Sequence, residues 1–346
     1  MLNNNVIRKN ELISIQYLRA IAAIIVVFHH ARGPQPWLFN PIEWFGAGAK
    51  GVDIFFVISG FVMYFTSLNK RPIEFIKSRI NRLVPLYWIF TLIIFLGTTL
   101  RDHIFNIDHL LFLIKSMFFV PAFSLDHPGH VWPVLVPGWT LNFEIFFYLI
   151  FAFGLFIKNP YHFVMTVIVL LISMGLIFDF SNPLFITYTS PLLVEFLAGM
   201  IICRIYLSGK ISPSLFPLGP ICFLLLLSFQ YIIGKEFKAI IDPLCAAGVV
   251  IGGLSIEERL RSRPSRVMYE LGNASYSIYL CHGVFLAFFY LLFKHMPLDG
   301  ALQFCIFLLS ALFGSIVSGV FVHYYIEKPL TRILKRNAVR PITTAA

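Results

Sequence analysis

Charged residues are scarce in this sequence, and their scarcity excludes most soluble folds. Only 13% of the 346 residues are charged, whereas 58% are hydrophobic; an average soluble domain has about 25% charged residues. The apolar residues also form long blocks, which differ from the short alternating strands of an outer-membrane barrel. We therefore expect an all-α, polytopic integral membrane protein.

The sequence also lacks a cysteine pattern that would indicate a disulfide framework or a metal site. Its five cysteines are an odd number, and they lie inside apolar segments without metal-ligand spacing. The formal net charge of +10 resides in short segments between apolar blocks and not along one amphipathic face. We therefore expect no metal site and no nucleic-acid partner.

Ten apolar blocks are each about long enough to cross the ~30 Å hydrocarbon layer. A shorter apolar run at 110–120 contains Lys115 and ends at Pro121, so we expect it to lie at the interface or to re-enter the membrane. The ten predicted spans lie near residues 12–31, 51–68, 83–100, 139–158, 161–180, 184–207, 214–233, 238–255, 274–294 and 301–325.

The basic residues predict an orientation for these spans. With a cytoplasmic N-terminus, 19 of the 27 Lys and Arg residues fall on the cytoplasmic side and seven on the other, as the positive-inside rule requires. An even number of spans then places both termini in the cytoplasm. We expect a single membrane domain over 1–346, with a core of about 11–330 and short cytoplasmic tails at 1–10 and 331–346.

Ionisable residues within the first span are candidates for function, because each costs about 2.5–3.5 kcal/mol at the membrane centre. Arg19 and His30 are eleven positions apart, which places them on one helical face and roughly 16 Å apart along the axis. His29 points about 80° away from that face, so His30 is the preferred partner of Arg19. The alternative is that both histidines only end the helix at the outer interface.

Asp53 opens the second span on the side of the membrane where the first span ends, so it can meet His30. A carboxylate bound to one imidazole nitrogen fixes the tautomer and raises the basicity of the ring. Such a histidine is suited to act as general base on a hydroxyl group. The alternative role of Asp53 is to cap the N-terminus of the span.

The loop predicted after the second span contains Arg79 and Arg82. Residues three apart on a helical turn project to one side, where two guanidinium groups can bind phosphates. The alternative is that these arginines only set the orientation of the protein or contact anionic headgroups.

The fourth predicted span begins with Trp139, and Asn142 and Glu144 follow it. We expect Glu144 at a depth similar to that of His30 and Asp53, where it binds a sugar hydroxyl or polarises the histidine. Trp139 offers a stacking face. The alternative is an interfacial aromatic belt with a glutamate that reaches the interface.

Two later spans carry further polar residues. Ser275, Tyr279 and His282 share one helical face at spacings of four and seven, where they contact substrate or pack between helices. Glu195 lies near the middle of the sixth predicted span without an evident partner in the sequence. The sequence leaves two alternatives for Glu195, a structural hydrogen bond and a functional role.

Taken in order, these segments resemble the membrane acyltransferase-3 family, and the match runs from about residue 11 to 330. Within the family, segments 51–61, 128–144 and 195–200 are most similar to ExoZ-type exopolysaccharide production proteins. Ala20 departs from the glycine that is usual in the family. The resemblance rests on the Arg19 and His30 spacing, segment 51–61, Arg79 and Arg82 before Leu83-Val84-Pro85, segment 139–148, and 276–280 with His282.

The resemblance implies an O-acyltransferase of the bacterial inner membrane. Its donor would be cytoplasmic acetyl-CoA, with no permanently bound cofactor, and its acceptor a sugar hydroxyl of an exopolysaccharide, an O-antigen or a lipid-linked precursor. By position, Arg19 and His30 match the essential pair of the family, and Arg79 and Arg82 match its cytoplasmic arginine motif. From the residues themselves we expect direct transfer or an acetyl-histidine intermediate. The predicted roles are catalysis by His30, Asp53 and Glu144, donor binding by Arg19, Arg79 and Arg82, and substrate binding by Trp139, Asn142, Tyr279 and His282.

Two other classes compete with this interpretation. Polar residues within spans also mark the substrate paths of transporters, so a transporter or flippase for a lipid-linked glycan is the main alternative. A non-catalytic subunit of a polysaccharide assembly machine is another. Many transporters have internal repeats, and this sequence shows none, which favours the enzyme.

Overall fold

The structure is a computed structural model, which describes residues 11–33, 37–67, 70–103, 105–232 and 235–339. The described residues form helices and no strand. In chain order the α-helices are α1 (Ile13–Ala31), α2 (Gly51–Ser67), α3 (Pro72–Asp102), α4 (Ile107–Met117), α5 (Trp139–Phe156), α6 (Pro160–Ile177), α7 (Pro183–Tyr188), α8 (Leu193–Leu207), α9 (Leu218–Ile232), α10 (Lys235–Ser255), α11 (Glu257–Ser262), α12 (Arg266–Lys294), α13 (Gly300–Val322) and α14 (Lys328–Val339).

Nine helical segments in the described part of the chain are long and apolar enough to cross a membrane. This confirms the predicted polytopic, all-α architecture. The predicted span at 214–233 differs from the others, because α9 has 15 residues and a length of only ~22 Å. The sequence before it forms a short 3-10 turn at Pro213–Leu215, so apolar residues counted toward the predicted span do not extend the helix.

Helix α3 corrects the predicted loop around Arg79 and Arg82. It begins at Pro72, at a position in the first turn where the missing N–H of proline costs no hydrogen bond. The helix then continues through both arginines and through Pro85 to Asp102. Both guanidinium groups are therefore carried by a membrane-spanning helix.

The short apolar run that contains Lys115 forms α4, which has 11 residues. Its length of ~16 Å is too small to cross the hydrocarbon layer. Phe112, Leu113 and Ser116 are buried, whereas Leu111 and Ile114 are exposed. The expectation that this run does not span the membrane therefore agrees with the helix length.

Glycines bring α2 and α8 into backbone contact. A Cβ atom on Gly199 would lie 2.0 Å from the carbonyl oxygen of Val57, and one on Gly60 would lie 2.1 Å from that of Phe196. Close approach at small residues is a common way for helices to associate in membranes. The contact holds the two helices in one register, which also sets the positions of side chains one turn earlier on each.

We expect Gly199→Ala to lower the free energy of unfolding by about 1–3 kcal/mol, because Val57 has to move to admit the methyl group. Thermal unfolding of the purified protein in detergent measures the loss. Gly97→Ala in α3 is the matched control, because a Cβ there meets no atom within 4 Å. Equal destabilisation by both substitutions would contradict the proposed backbone contact.

Candidate active site

Two cavities inside the bundle contain most of the predicted site residues. The arginine cavity, defined by Arg19, Arg79 and Arg82, has a volume of about 90 Å³. The histidine cavity, lined by residues that include His29, His30 and His282, has a volume of about 540 Å³. Val52 and Tyr279 line both cavities, so these two side chains lie between them.

Arg79 makes one hydrogen bond and two aromatic ring contacts in the arginine cavity. Its Nη2 atom donates to Oγ1 of Thr66 at 2.7 Å, and its Cζ atom lies 5.5 Å from the ring centroid of Phe75 and 5.6 Å from that of Tyr148. Among the described residues, neither Nε of Arg79 nor Oγ of Ser275 has a hydrogen-bond partner. Unused donors beside three guanidinium groups fit an anionic group such as a phosphate.

Glu144 lies in the arginine cavity, whereas the sequence predicted it beside His30. Its carboxylate accepts hydrogen bonds from Oγ of Ser59 at 2.7 Å and from the hydroxyl of Tyr148 at 2.8 Å. The physical reason is depth in the membrane. Trp139 lines the histidine cavity, and Glu144 follows it by five residues, which places Glu144 ~7.5 Å further along α5. Glu144 therefore shares the arginine cavity with the three arginines and makes no hydrogen bond to the His30 ring.

The histidine cavity is suited to a small polar substrate. Its volume of about 540 Å³ is within the range of about 300–1,000 Å³ that is usual for small-molecule sites. Trp139, at the start of α5, lines it as expected, and Trp132 lines it as well. The sequence did not single out Trp132, although this residue lies within the segment 128–144 that carried the family resemblance.

The adjacent residues His29 and His30 differ in whether their imidazole rings make hydrogen bonds. Nη2 of Arg32 lies 3.0 Å from Nδ1 of His29, and because a guanidinium only donates, the lone pair of His29 Nδ1 is occupied. The imidazole of His30 is exposed to the cavity and makes no hydrogen bond with any described residue, while its main-chain carbonyl accepts from Tyr290 at 2.9 Å. Of these two adjacent histidines, His30 is therefore the one whose ring makes no hydrogen bond to the protein.

His282 lies beside His30, with the two ring centroids 5.0 Å apart. Nδ1 of His282 is 2.5 Å from the carbonyl oxygen of Tyr279. Since a carbonyl only accepts, this nitrogen carries the proton and Nε2 keeps its lone pair. The sequence predicted His282 on one face with Tyr279, but it contained no signal that this face packs against the end of α1.

Asp53 lines the histidine cavity, but it does not form the expected pair with His30. Its carboxylate is 3.8 Å from Nζ of Lys50, which also contacts Asp242 of α10. No hydrogen bond joins Asp53 to the His30 ring, and both residues lie in the described part of the chain. The physical reason is that Lys50, one turn before Asp53, is the nearer cationic partner.

Tyr279 forms the wall between the two cavities. Its hydroxyl lies 3.1 Å from Oγ1 of Thr140 and donates to the carbonyl of Pro137 at 3.1 Å, and its ring contacts that of Phe55 at a centroid distance of 5.7 Å. The predicted substrate-binding residue Asn142 is buried and lines neither cavity. Its role in substrate binding stays a prediction.

A family model described as an acyltransferase domain matches residues 12–320, most of the chain. The chain belongs to this acyltransferase family. It is 35% identical over 315 residues to the exopolysaccharide production protein ExoZ of Rhizobium meliloti (strain 1021), an alignment that covers 86% of this chain and 93% of that protein. The resemblance to the acyltransferase-3 family and to ExoZ-type proteins is confirmed.

More distant relatives include the O-acetyltransferase OatA of Staphylococcus aureus (strain NCTC 8325 / PS 47), 24% identical over 361 residues, which cover 91% of this chain and 56% of that protein. The peptidoglycan O-acetyltransferase OatA of Listeria monocytogenes is 24% identical over 78% of this chain and 48% of its own length. The chain thus spans about half of the OatA proteins. No solved structure matches it. Together these relationships identify an O-acyltransferase.

Proposed function

We propose that this enzyme transfers an acetyl group from acetyl-CoA to a hydroxyl group of an exopolysaccharide or of its lipid-linked precursor. The names of the ExoZ and OatA relatives support this acceptor and this acyl group. The observation that carries the proposal is the pair of cavities, one lined by arginines and the other by histidines, that meet at Tyr279. The enzyme acts in a bacterial inner membrane, with the arginine cavity toward the cytoplasm.

The arginine cavity binds the donor. The three guanidinium groups face two carboxylates, Glu144 in the cavity lining and Glu327 near Arg19 and Arg82, so one net positive charge favours an anion. CoA carries phosphates that arginine binds bidentately. The cavity of about 90 Å³ is too small for the whole nucleotide, so the phosphates stay at its mouth and the narrow pantetheine arm enters. Arg19 and His30 lie on the same helix, roughly 16 Å apart along its axis, which is the distance that the arm spans to bring the thioester to the histidine.

The histidine cavity binds the acceptor and performs the chemistry. His30 takes the proton from a sugar hydroxyl, and the sugar oxygen forms a bond with the thioester carbonyl carbon. The carbon–sulfur bond then breaks, and the leaving thiolate takes the proton from His30, which gives an O-acetyl sugar and CoA. In the alternative route His30 itself attacks the thioester and forms an acetyl-histidine that the sugar then cleaves. Acetyl-His30 trapped without acceptor would distinguish the two routes.

Reconstituted protein tests the proposed reaction. Vesicles that contain the purified enzyme are supplied with isotope-labelled acetyl-CoA on the arginine side and with extracted polysaccharide on the other. We expect label to appear on the sugar as base-labile acetate while acetyl-CoA is consumed. Translocation of a lipid-linked glycan without any acetyl transfer would contradict the proposal and favour a transporter.

Tyr279→Ala should join the two cavities, because the side chain that separates them is removed. We expect water to reach the thioester, so that a larger share of acetyl-CoA is hydrolysed to free acetate and a smaller share is transferred to sugar. The ratio of the two products measures this uncoupling. Tyr279→Phe is the matched control, since it keeps the ring and its contact with Phe55. An unchanged ratio in Tyr279→Ala would exclude Tyr279 as the barrier.

A further inference from the structure

One buried carboxyl group is not used by the reaction proposed above. Glu195 of α8 has no exposed surface, and neither of its carboxylate oxygens contacts a hydrogen-bond donor in the part of the chain that the structure describes. An ionised carboxylate in such a place has lost its water and gained no partner in return, which is strongly unfavourable. Whether Glu195 is protonated or ionised therefore depends on the group that lies next to it.

The packing of α2 against α8 determines which group lies next to Glu195. Gly199 touches the main chain at Val57, and one helical turn before each of these positions stand Glu195 and Asp53. Because side chains four residues apart lie on the same helical face, the two carboxyl groups face each other. Each of the two groups acts electrostatically on the other. Two carboxylates can only accept, so a hydrogen bond between them requires a proton on one of them.

The surrounding charges indicate which carboxyl holds the proton. Lys50, 3.8 Å from Asp53, stabilises the ionised form of that residue and also contacts Asp242. No cation among the described residues forms an ion pair with Glu195, although the more distant Lys50 also acts on it. These three residues are the charged groups that face Glu195 from α2, from the turn before it and from α10. On α6, which also packs against α8, Tyr161 and His162 stand at the opposite end, where Tyr161 contacts Arg204.

We propose that Asp53 and Glu195 form a proton-sharing pair in which Glu195 is protonated and Asp53 presents its negative charge to the histidine cavity. With Glu195 neutral, Lys50, Asp53 and Asp242 together carry one net negative charge at the cavity wall. This inference rests on the proposed function, because that charge stabilises the positive charge that develops on His30 as it takes the hydroxyl proton. Glu195 is then a positioning residue that acts through Asp53.

Infrared difference spectroscopy of the wild type against Glu195→Gln tests the shared proton without any substrate. We expect the wild type to show the carbonyl stretch of a protonated carboxylic acid, which shifts in deuterium oxide and is missing from the variant. If the difference spectrum shows only the bands of an ionised carboxylate, the proposed pair is wrong. Because no acetyl transfer is measured, this result is independent of whether the proposed function is correct.

Acetyl transfer by two variants of similar volume tests the positioning role. The amide of Glu195→Gln can donate to Asp53 as the acid does, so we expect a rate close to that of the wild type. Glu195→Leu leaves Asp53 without this donor, and we expect a loss of at least about tenfold. A large loss in Glu195→Gln would mean that Glu195 has to be ionised, and equal rates for Gln and Leu would mean that it only fills space. Either outcome overturns the proposal.

The pH dependence of transfer distinguishes the pair from a purely structural contact. At high pH the shared proton leaves the wild-type pair, and the two adjacent carboxylates repel each other and displace Asp53 from the cavity wall. We therefore expect transfer to fall at high pH in the wild type and to persist there in Glu195→Gln, whose amide cannot lose a proton. Superimposable pH profiles would contradict the proposal, whatever the variants do to thermal stability.

Discussion

Replacing His30 by alanine should lower the rate of acetyl transfer by about 10²- to 10⁴-fold, the usual contribution of a general base. The imidazole of His30 is exposed to the histidine cavity, and no described residue hydrogen-bonds to it. Its lone pair is thus available to the sugar hydroxyl, and its removal leaves that proton without an acceptor. Base-labile acetate released from the polysaccharide measures the rate.

His29→Gln is the matched control for His30→Ala. His29 already accepts a hydrogen bond from Arg32, and glutamine can keep an acceptor in that region, so we expect a loss within about fivefold, as for one ordinary hydrogen bond. If His29→Gln were as damaging as His30→Ala, the assignment of the base to His30 would be wrong. Thermal unfolding of both variants checks that α1 still packs against α12.

The helices could be predicted because an apolar block that is long enough to cross a membrane forms a helix there. Hydropathy marks where a helix contacts lipid, however, and not where it ends. Helix α3 begins at Pro72, eleven residues before the predicted span, because Arg79 and Arg82 lower the local hydropathy without interrupting the helix. The same limitation placed Leu215 and Phe216 in a span, whereas Leu215 ends a 3-10 turn and the helix begins at Leu218.

The candidate site was predictable where one helix sets the geometry. Arg19 and His30 lie on α1, and the helical rise alone gives their separation. Contacts between helices were not predictable in this way. Lys50 and Asp242 are 192 positions apart, and no residue pattern announces that His282 packs beside His30. Such pairs depend on which helix faces which, and a single sequence does not encode this in any local spacing.

Arg79→Ala should raise the KM for acetyl-CoA by about 10- to 100-fold, because a hydrogen bond to a charged group contributes about 1.5–3 kcal/mol. Arg79 lines the arginine cavity and has one donor atom without a partner among the described residues. Its contact with the phosphates is the same before and during the reaction, so we expect kcat to change little. Initial rates at a series of acetyl-CoA concentrations measure both constants.

Arg101→Ala is the matched control on the same helix. Arg101 is exposed at the far end of α3 and pairs with its neighbour Asp102, so its removal should leave the KM unchanged. A donor without phosphates, acetyl-pantetheine, separates phosphate binding from damage to the fold. If Arg79 binds phosphate, the wild type and Arg79→Ala should use acetyl-pantetheine equally well, and the preference for acetyl-CoA should shrink in the variant. If Arg79→Ala keeps that preference in full, the arginine cavity is not where the donor phosphates bind.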